Sequence, residues 1–256
     1  MSGHSKWSTI KRAKGTADIK KGMVFTKLAN AIALAARAGN SGDVNSNPRL
    51  RTVLEDAKKV NMPKENVQRA IDRGLGKLPG QTIEEVTYEG FGPGKVAFYL
   101  EGVTDNKLRT NSEIKNLFEK SGGNLGSLGS VAYMFDKKGE IRIKSQVTSG
   151  KSQDEEMLEL IDLGAGDVEE YLEDEVQKYL VYTEITQLNN VSTKITQSGF
   201  EVESAEIIMK PNIIVNISDK EIAEKVMEFT EKLEEHDDIQ KVFANFEIDE
   251  ELMSSL

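Results

Sequence analysis

Three groups of residues in this 256-residue chain are of types that could do chemistry. The first is Lys6, Trp7, Lys11, Arg12 and Lys14, four cations around the single tryptophan. Cations neutralise phosphates and an indole stacks on an unpaired base, so the combination suits single-stranded nucleic acid. The indole could equally pin this arm to a neighbouring domain. The second group is Gly150-Lys151-Ser152, between an expected strand and an expected helix, where a phosphate-binding loop would stand. No glycine opens that loop, and Asp154, Glu155 and Glu156 place negative charge at the helix start, where a phosphate would have to sit. The third is His236-Asp237-Asp238, whose side chains could touch a metal. It falls at an expected helix end, where a polar exit turn is the simpler account. The other histidine is His4, and the absence of cysteine removes thiolate nucleophiles, disulfides and Cys-ligated zinc. No nucleophile, triad or metal signature emerges, and the chain reads as a non-enzyme without metal or cofactor.

The net charge of −10 conceals a division of the chain. Residues 1–80 carry 16 Lys and Arg against 6 Asp and Glu, while the other 176 residues carry 17 against 37. A basic segment points to a polyanion partner and an acidic remainder repels one, so contact with nucleic acid belongs to the first third. The length suits two or three domains, and 38% hydrophobic with 30% charged residues describes a chain that folds. No stretch has the apolar length of a membrane span, and the start lacks the apolar core of a secretory signal. The expectation is a cytoplasmic protein with no membrane partner.

The elements that must position these residues follow from periodicity. Residues 1–17 read as an extended arm, with Asp18 as a helix cap. Phe25, Leu28, Ile32, Ala35 and Ala36 recur at helical spacing and Gly39 stops that helix. Asn47-Pro48 starts a second, striped by Leu50, Val53, Leu54, Ala57 and Val60. Met62-Pro63 starts a third, striped by Val67, Ala70, Ile71 and Leu75. The cations lie off these stripes: Lys20, Lys21 and Lys27 on the first helix, Arg49, Arg51 and Lys58 on the second, and Arg69, Arg73 and Lys77 as an i, i+4, i+8 ridge on the third. With the arm they form the candidate nucleic-acid interface; otherwise they are a solvated face.

Past Pro79-Gly80 the pattern changes. Strands are expected around Val86–Tyr88, Val96–Leu100 and Val131–Phe135, with a helix from Asn106 to Ser121. Asp136-Lys137-Lys138-Gly139 reads as a domain joint. Beyond it comes a complete βαββαβ cycle: Ile141–Ile143, Glu155–Leu163, Val168–Leu172, Tyr179–Tyr182, Ile185–Ser198 and Phe200–Met209. A strand at 213–215, a helix from Lys220 to Glu235 and a strand at 242–246 complete the chain. The expected fold is therefore multidomain α+β: a basic arm and three-helix bundle over 1–79, and two ferredoxin-like sandwiches. One is discontinuous over 80–136 and 211–256, with an acidic one over 137–210 inserted in it. Gly123, Gly126 and Gly129 follow a helix and lead into a strand, the reverse of a dinucleotide fingerprint, and read as a turn-rich connection.

Gly3-His4-Ser5-Lys6-Trp7, Phe25-Thr26-Lys27-Leu28, Asn47-Pro48-Arg49-Leu50-Arg51, Asn61-Met62-Pro63-Lys64, Arg69-Ala70-Ile71, Tyr88-Glu89-Gly90-Phe91-Gly92-Pro93-Gly94, Thr104-Asp105-Asn106 and Gly122-Gly123-Asn124-Leu125-Gly126 with Gly129-Ser130-Val131 resemble the YebC family, which includes the mitochondrial translational activator of cytochrome oxidase. The likeness runs in order to about Phe135 and is looser over the acidic third. It implies a three-helix domain followed by two α+β domains, the last inserted into the middle one. It also implies either a transcriptional regulator that binds promoter DNA or a factor acting on ribosomes, including at proline-rich stretches. Asn30 stands where similar sequences often have a basic residue, Lys95 where a further glycine is usual, and Lys107 where arginine is frequent.

Function thus divides between a DNA-binding transcriptional regulator and a ribosome-associated translation factor reaching rRNA with its arm and first helices. The helices lack a clear helix-turn-helix spacing, which leans towards RNA, while the family name leans towards transcription. A protein-binding adaptor is the weaker third reading. Its basis is the stretch from Gln153 to Glu175, with eleven acidic side chains and no lysine or arginine, which must face water or a basic protein or ribosomal surface.

Overall fold

The computed structural model describes residues 17–78, 82–145, 152–173 and 176–253. In chain order its elements are α1 (Ala17–Ala38), α2 (Pro48–Lys59), α3 (Lys64–Gly74), β1 (Glu84–Phe91), β2 (Ala97–Thr104), α4 (Lys107–Lys120), β3 (Asn124–Leu125) and β4 (Phe135–Lys144). There follow α5 (Gln153–Asp162), β5 (Asp167–Glu173), β6 (Val176–Thr183), α6 (Leu188–Gln197), β7 (Glu201–Pro211), β8 (Val215–Ile217), α7 (Lys220–Glu235), β9 (Ile239–Ala244), β10 (Phe246–Ile248) and a last turn of helix, Glu250–Met253. The described residues divide into two compact units, one drawn from 17–132, 217–244 and 248–253, the other chiefly from 133–216. No helix of the described residues is long and apolar enough to cross a membrane.

In the first unit α1, α2 and α3 bury Ile32, Ala35, Ala36, Leu50, Ala57, Ala70 and Ile71 between them. The buried Asn47 caps α2, its Oδ1 accepting from Leu50 N–H, and its Nδ2 donates to the carbonyls of Ala35 and Ser41. One side chain therefore starts the second helix and holds the loop that closes the first. At Gly74 α3 crosses α1 so closely that a Cβ would lie 2.1 Å from the Ala33 carbonyl oxygen. The bundle rests on the sheet through a small apolar contact of Ala33 and Leu34 with Ile83 and Val103.

That sheet has the order β3-β1-β2-β9, with β9 antiparallel to β2. The expected return of the chain after the insertion to finish this layer is therefore present, and α4 and α7 pack on it. Phe98, Phe118 and Phe229 meet edge to face, two of the three centroid separations being 4.9 Å. Gly92 leaves room for Phe98 and Phe229, which a Cβ would meet within 3 Å. Lys95 lies at φ +60, the backbone region that favours glycine.

The second unit is a βαββαβ sandwich, antiparallel throughout, of order β5-β6-β4-β7, which is the ferredoxin-like arrangement. Ile141, Ile143, Leu160, Tyr179, Val181, Val191, Ile195 and Phe200 form its core.

Three expectations change. Asp18 lies inside α1 rather than capping it. Val131–Phe135 is not a strand: 132–134 form a 3-10 turn, and the strand that begins at Phe135 runs unbroken to Lys144. Asp136-Lys137-Lys138-Gly139 is consequently no joint, because all four pair with residues of β7 and the units part at 132/133 instead. Asp136, Lys137 and Lys138 are a run of three charges on the stretch of β4 that pairs with β7 ahead of the first pair with β6 at Gly139, and in sequence that polarity looks the same as a linker's.

Candidate nucleic-acid interface and cleft

The arm residues Lys6, Trp7, Lys11, Arg12 and Lys14 lie outside the described residues. Lys20 and Lys21 fall on α1, and Lys27 is half-buried there. On the other two helices the structure sorts the cations by what they already hold. Arg49, Lys58 and Arg69 are exposed and make no ion pair or side-chain hydrogen bond among the described residues. Arg51 is exposed too, but its guanidinium closes the preceding loop by donating to the carbonyls of Val44 and Asn45. Lys77 pairs with Asp72 at 3.1 Å.

Arg73 does not continue the ridge. It turns inward, donates from Nη2 to Oδ1 of the buried Asn30, and leaves its Nε buried without a partner. Burial pulls its pKa down, partly offset by the charges of Asp105 and Asp238. The expected row of Arg69, Arg73 and Lys77 thus reduces to Arg69 as the one unengaged exposed cation. Packing explains it: Gly74 presses α3 against α1, and its neighbour Arg73 is carried into the crease.

The crease opens into a cleft of about 730 Å³ between α1, α3, the start of α4 and the exit of α7. A smaller one of about 240 Å³, lined by Asn66 and Arg69, shares Thr26 and Arg73 with it. Asn30 fixes one wall by donating to the Asp237 carbonyl. On the far wall Asp238 accepts from Thr110 at 2.7 Å and Arg109 at 2.8 Å. Burial pushes the Asp238 carboxyl up, but those hydrogen bonds outweigh it and hold the pKa below the usual carboxylate value. Arg109 also reaches Asp105, so its charge is spent locally.

His236, at the C-terminal cap of α7, turns into this cleft rather than out to solvent. Glu113, His236 and Asp238 each bring one possible ligand atom within 4.8 Å of the others. The hydrogen bonds compete with ligation: His236 Nδ1 accepts from the Asp238 N–H, which places the ring proton on Nε2, facing Glu113 at 3.1 Å. A metal at Nε2 would need the opposite tautomer.

Two positions were opaque in sequence. Asn30 registers only as a departure from a basic pattern, yet it ties α1 to both α3 and the α7 exit. Glu89, 3% exposed, accepts from the backbone N–H groups of Gly129, Val131 and Ala132, and so fastens the glycine-rich loop after β3. Gly129 within that loop has φ of +88, and Gly122, in the turn before β3, has φ of +77. At the other candidate phosphate loop Ser152 caps α5, and Glu155 fills that cap in return, occupying the helix start.

Fold and site together describe a class: a multidomain helix-and-sheet protein that presents a basic helical bundle beside a polar cleft. Residues 5–77 match the TACO1/YebC protein N-terminal domain, and residues 83–246 the TACO1/YebC second and third domain. The chain belongs to the TACO1/YebC family. Relatives called "Probable transcriptional regulatory protein" in Dictyoglomus turgidum and Desulfotalea psychrophila are each 45% identical over 100% of this chain and 100% and 99% of theirs. The crystal structure of a conserved hypothetical protein from Aquifex aeolicus matches with a TM-score of 0.79 at 42% identity, covering 93% of this chain and 94% of that one.

Proposed function

We propose that this protein is a non-enzymatic regulator of gene expression that binds nucleic acid through its N-terminal arm and the exposed cations of its helical bundle. The observation that carries the reading is the surplus of 16 basic over 6 acidic residues in the first 80, with Arg49, Lys58 and Arg69 unpaired on the bundle among the described residues. Unpaired exposed cations are free to displace counterions from a phosphate backbone. The names of the relatives support a role in transcription.

Arg73 favours a second reading, in which the nucleic acid is ribosomal RNA and the protein a translation factor. A helix reading the major groove needs a row of side chains facing the bases. With Arg73 turned in and Lys77 held by Asp72, α3 lacks that row, whereas single-stranded RNA asks only for scattered cations and places to receive a base.

Both readings are tested by crosslinking the full-length protein in cells and sequencing attached DNA and RNA separately. The wild type is compared with a variant carrying Lys6→Glu, Lys11→Glu, Arg12→Glu and Lys14→Glu. Promoter DNA peaks that vanish in the variant are the expected result for a transcriptional regulator, and discrete rRNA positions that vanish identify the translation factor. Crosslinks unchanged in the variant would remove the arm from the interface.

A further inference from the structure

We propose that the cleft beside Arg73 receives one unstacked guanine base of a single-stranded nucleic acid. This rests on the nucleic-acid reading above and states what the strand places there. Among the described residues Arg73 makes one hydrogen bond, to Asn30, while its Nε is buried and unmatched. A buried donor left unmade is unfavourable, and an edge of a guanidinium is complementary to two acceptors set side by side. A phosphate, a carboxylate and the O6/N7 edge of guanine all present such a pair.

The charge of the cleft chooses among them. Asp105, Glu113, Glu235, Asp237 and Asp238 line it against Arg73 and Arg109. Arg109 is already held by Asp105 and Asp238. A phosphate or carboxylate entering here meets a wall of its own sign, and a neutral acceptor pair does not. Guanine also carries donors on its other edge, N1–H and the exocyclic amine, which a carboxylate accepts. Asp237 lines the same cleft, its backbone is fixed by Asn30, and its carboxylate has no partner among the described residues. Adenine offers its N6 donors where the guanidinium needs an acceptor.

Ile83, Val103 and Leu117 give the cleft apolar walls against which a base can lie. Its volume of about 730 Å³ accommodates a base with its sugar, within the roughly 300–1,000 Å³ of small-molecule sites. The phosphates stay outside, where Arg69 borders the adjoining crease.

The test is fluorescence anisotropy of the full-length protein with labelled octa-uridine RNA and the same strand bearing one central guanine, adenine, inosine or 7-deazaguanine. The guanine strand is expected to bind about tenfold tighter than the adenine strand, the discrimination of one good bidentate pair. The 7-deazaguanine strand, lacking N7, should lose most of that gain, and inosine, lacking the exocyclic amine, part of it. Arg73→Met should collapse the guanine-to-adenine ratio towards one. Because Arg73 is partly buried, the exposed Asp237→Asn gives an independent arm and should erase the difference between guanine and inosine. Equal affinity for all strands overturns the guanine site and leaves the nucleic-acid reading standing; no binding to any strand defeats the guanine site together with the single-stranded RNA reading, and leaves the promoter-DNA reading to the crosslinking.

Discussion

Replacing Glu89 by glutamine tests how the glycine-rich loop is held. Glu89 Oε1 accepts from Gly129 at 2.8 Å and Oε2 from Val131 and Ala132 at 2.9 Å each, all within a site 3% exposed. Hydrogen bonds to a buried charge are each worth about 1.5–3 kcal/mol against about 0.5–1.5 for neutral ones. The amide keeps one acceptor oxygen and turns an N–H₂ group onto the opposing backbone donors. If the oxygen stays with Val131 and Ala132, two bonds weaken by about 1 kcal/mol each and the Gly129 N–H is orphaned at about 1–3 kcal/mol. Relief from burying a charge offsets part of this, leaving a destabilisation of about 2–4 kcal/mol. In urea at neutral pH that lowers the midpoint by about 1–2 M with little change in slope. Native-state hydrogen exchange should show the loss of protection first at Gly129, Val131 and Ala132. A Glu89→Gln protein within 0.5 kcal/mol of wild type by the error of such a measurement, with those three amides still protected, would refute the view that the carboxylate carries the loop.

Gly74→Ala should destabilise the bundle. In an exposed helix the change gains about 1 kcal/mol. Here the new Cβ would stand 2.1 Å from the Ala33 carbonyl oxygen, so the overpacking penalty of about 1–3 kcal/mol should win; a variant melting as high as wild type would show that the helices can part freely. Asp238 should give the protein an acid-sensitive contribution. Its native pKa lies below the usual carboxylate value, so the stabilisation is complete above the unfolded value and is lost as pH falls through the lower native one. Stability measured from pH 6 down to pH 2 should therefore decline more steeply in wild type than in Asp238→Asn, and parallel curves would contradict the assignment.

How much could be read in advance depended on whether the signal was local. Asn47-Pro48 announces a helix start because a cap needs only its own side chain and the next turn, and the structure has that cap as expected, while Asn106, from which the next helix was expected to run, turns out to cap it. The βαββαβ cycle was legible because period and turn chemistry agree along it. The pairing of β9 with β2 was inferable only from an unfinished half on each side of an insertion. The failures are non-local. Val131–Phe135 has strand composition, but Val131 and Ala132 give their N–H groups to Glu89, some forty residues earlier, and a strand beginning there would have to abandon that carboxylate. Arg73 has the spacing of a surface ridge, and only the closeness of α3 to α1 at Gly74 turns it inward. Its partner Asn30 had no signal beyond being uncharged where cations were expected.

The acidic third shows why a charge count misleads when contacts are unknown. Of its eleven carboxylates, Glu156 is wholly buried and accepts from Ser145 and Tyr179. Glu173 meets Lys178, and Asp167 and Glu169 meet Lys210, the lysines coming from outside the stretch. Tyr182 lies beneath that lysine's ammonium, 3.5 Å from it. Much of the acidity is thus structural, joining β5 to β6 and β7, and a smaller exposed remainder, such as Asp154, Asp162 and Glu170, is left for solvent or a partner. The same reasoning applies in the opposite sense to the cleft. A basic bundle alone attracts any polyanion, and discrimination requires places where a phosphate is unwelcome. Asp105, Glu235 and Asp237 supply such a place inside the unit that carries Arg49, Lys58 and Arg69, and on the proposed reading a strand that approaches those cations would enter the cleft only with a part that is not charged.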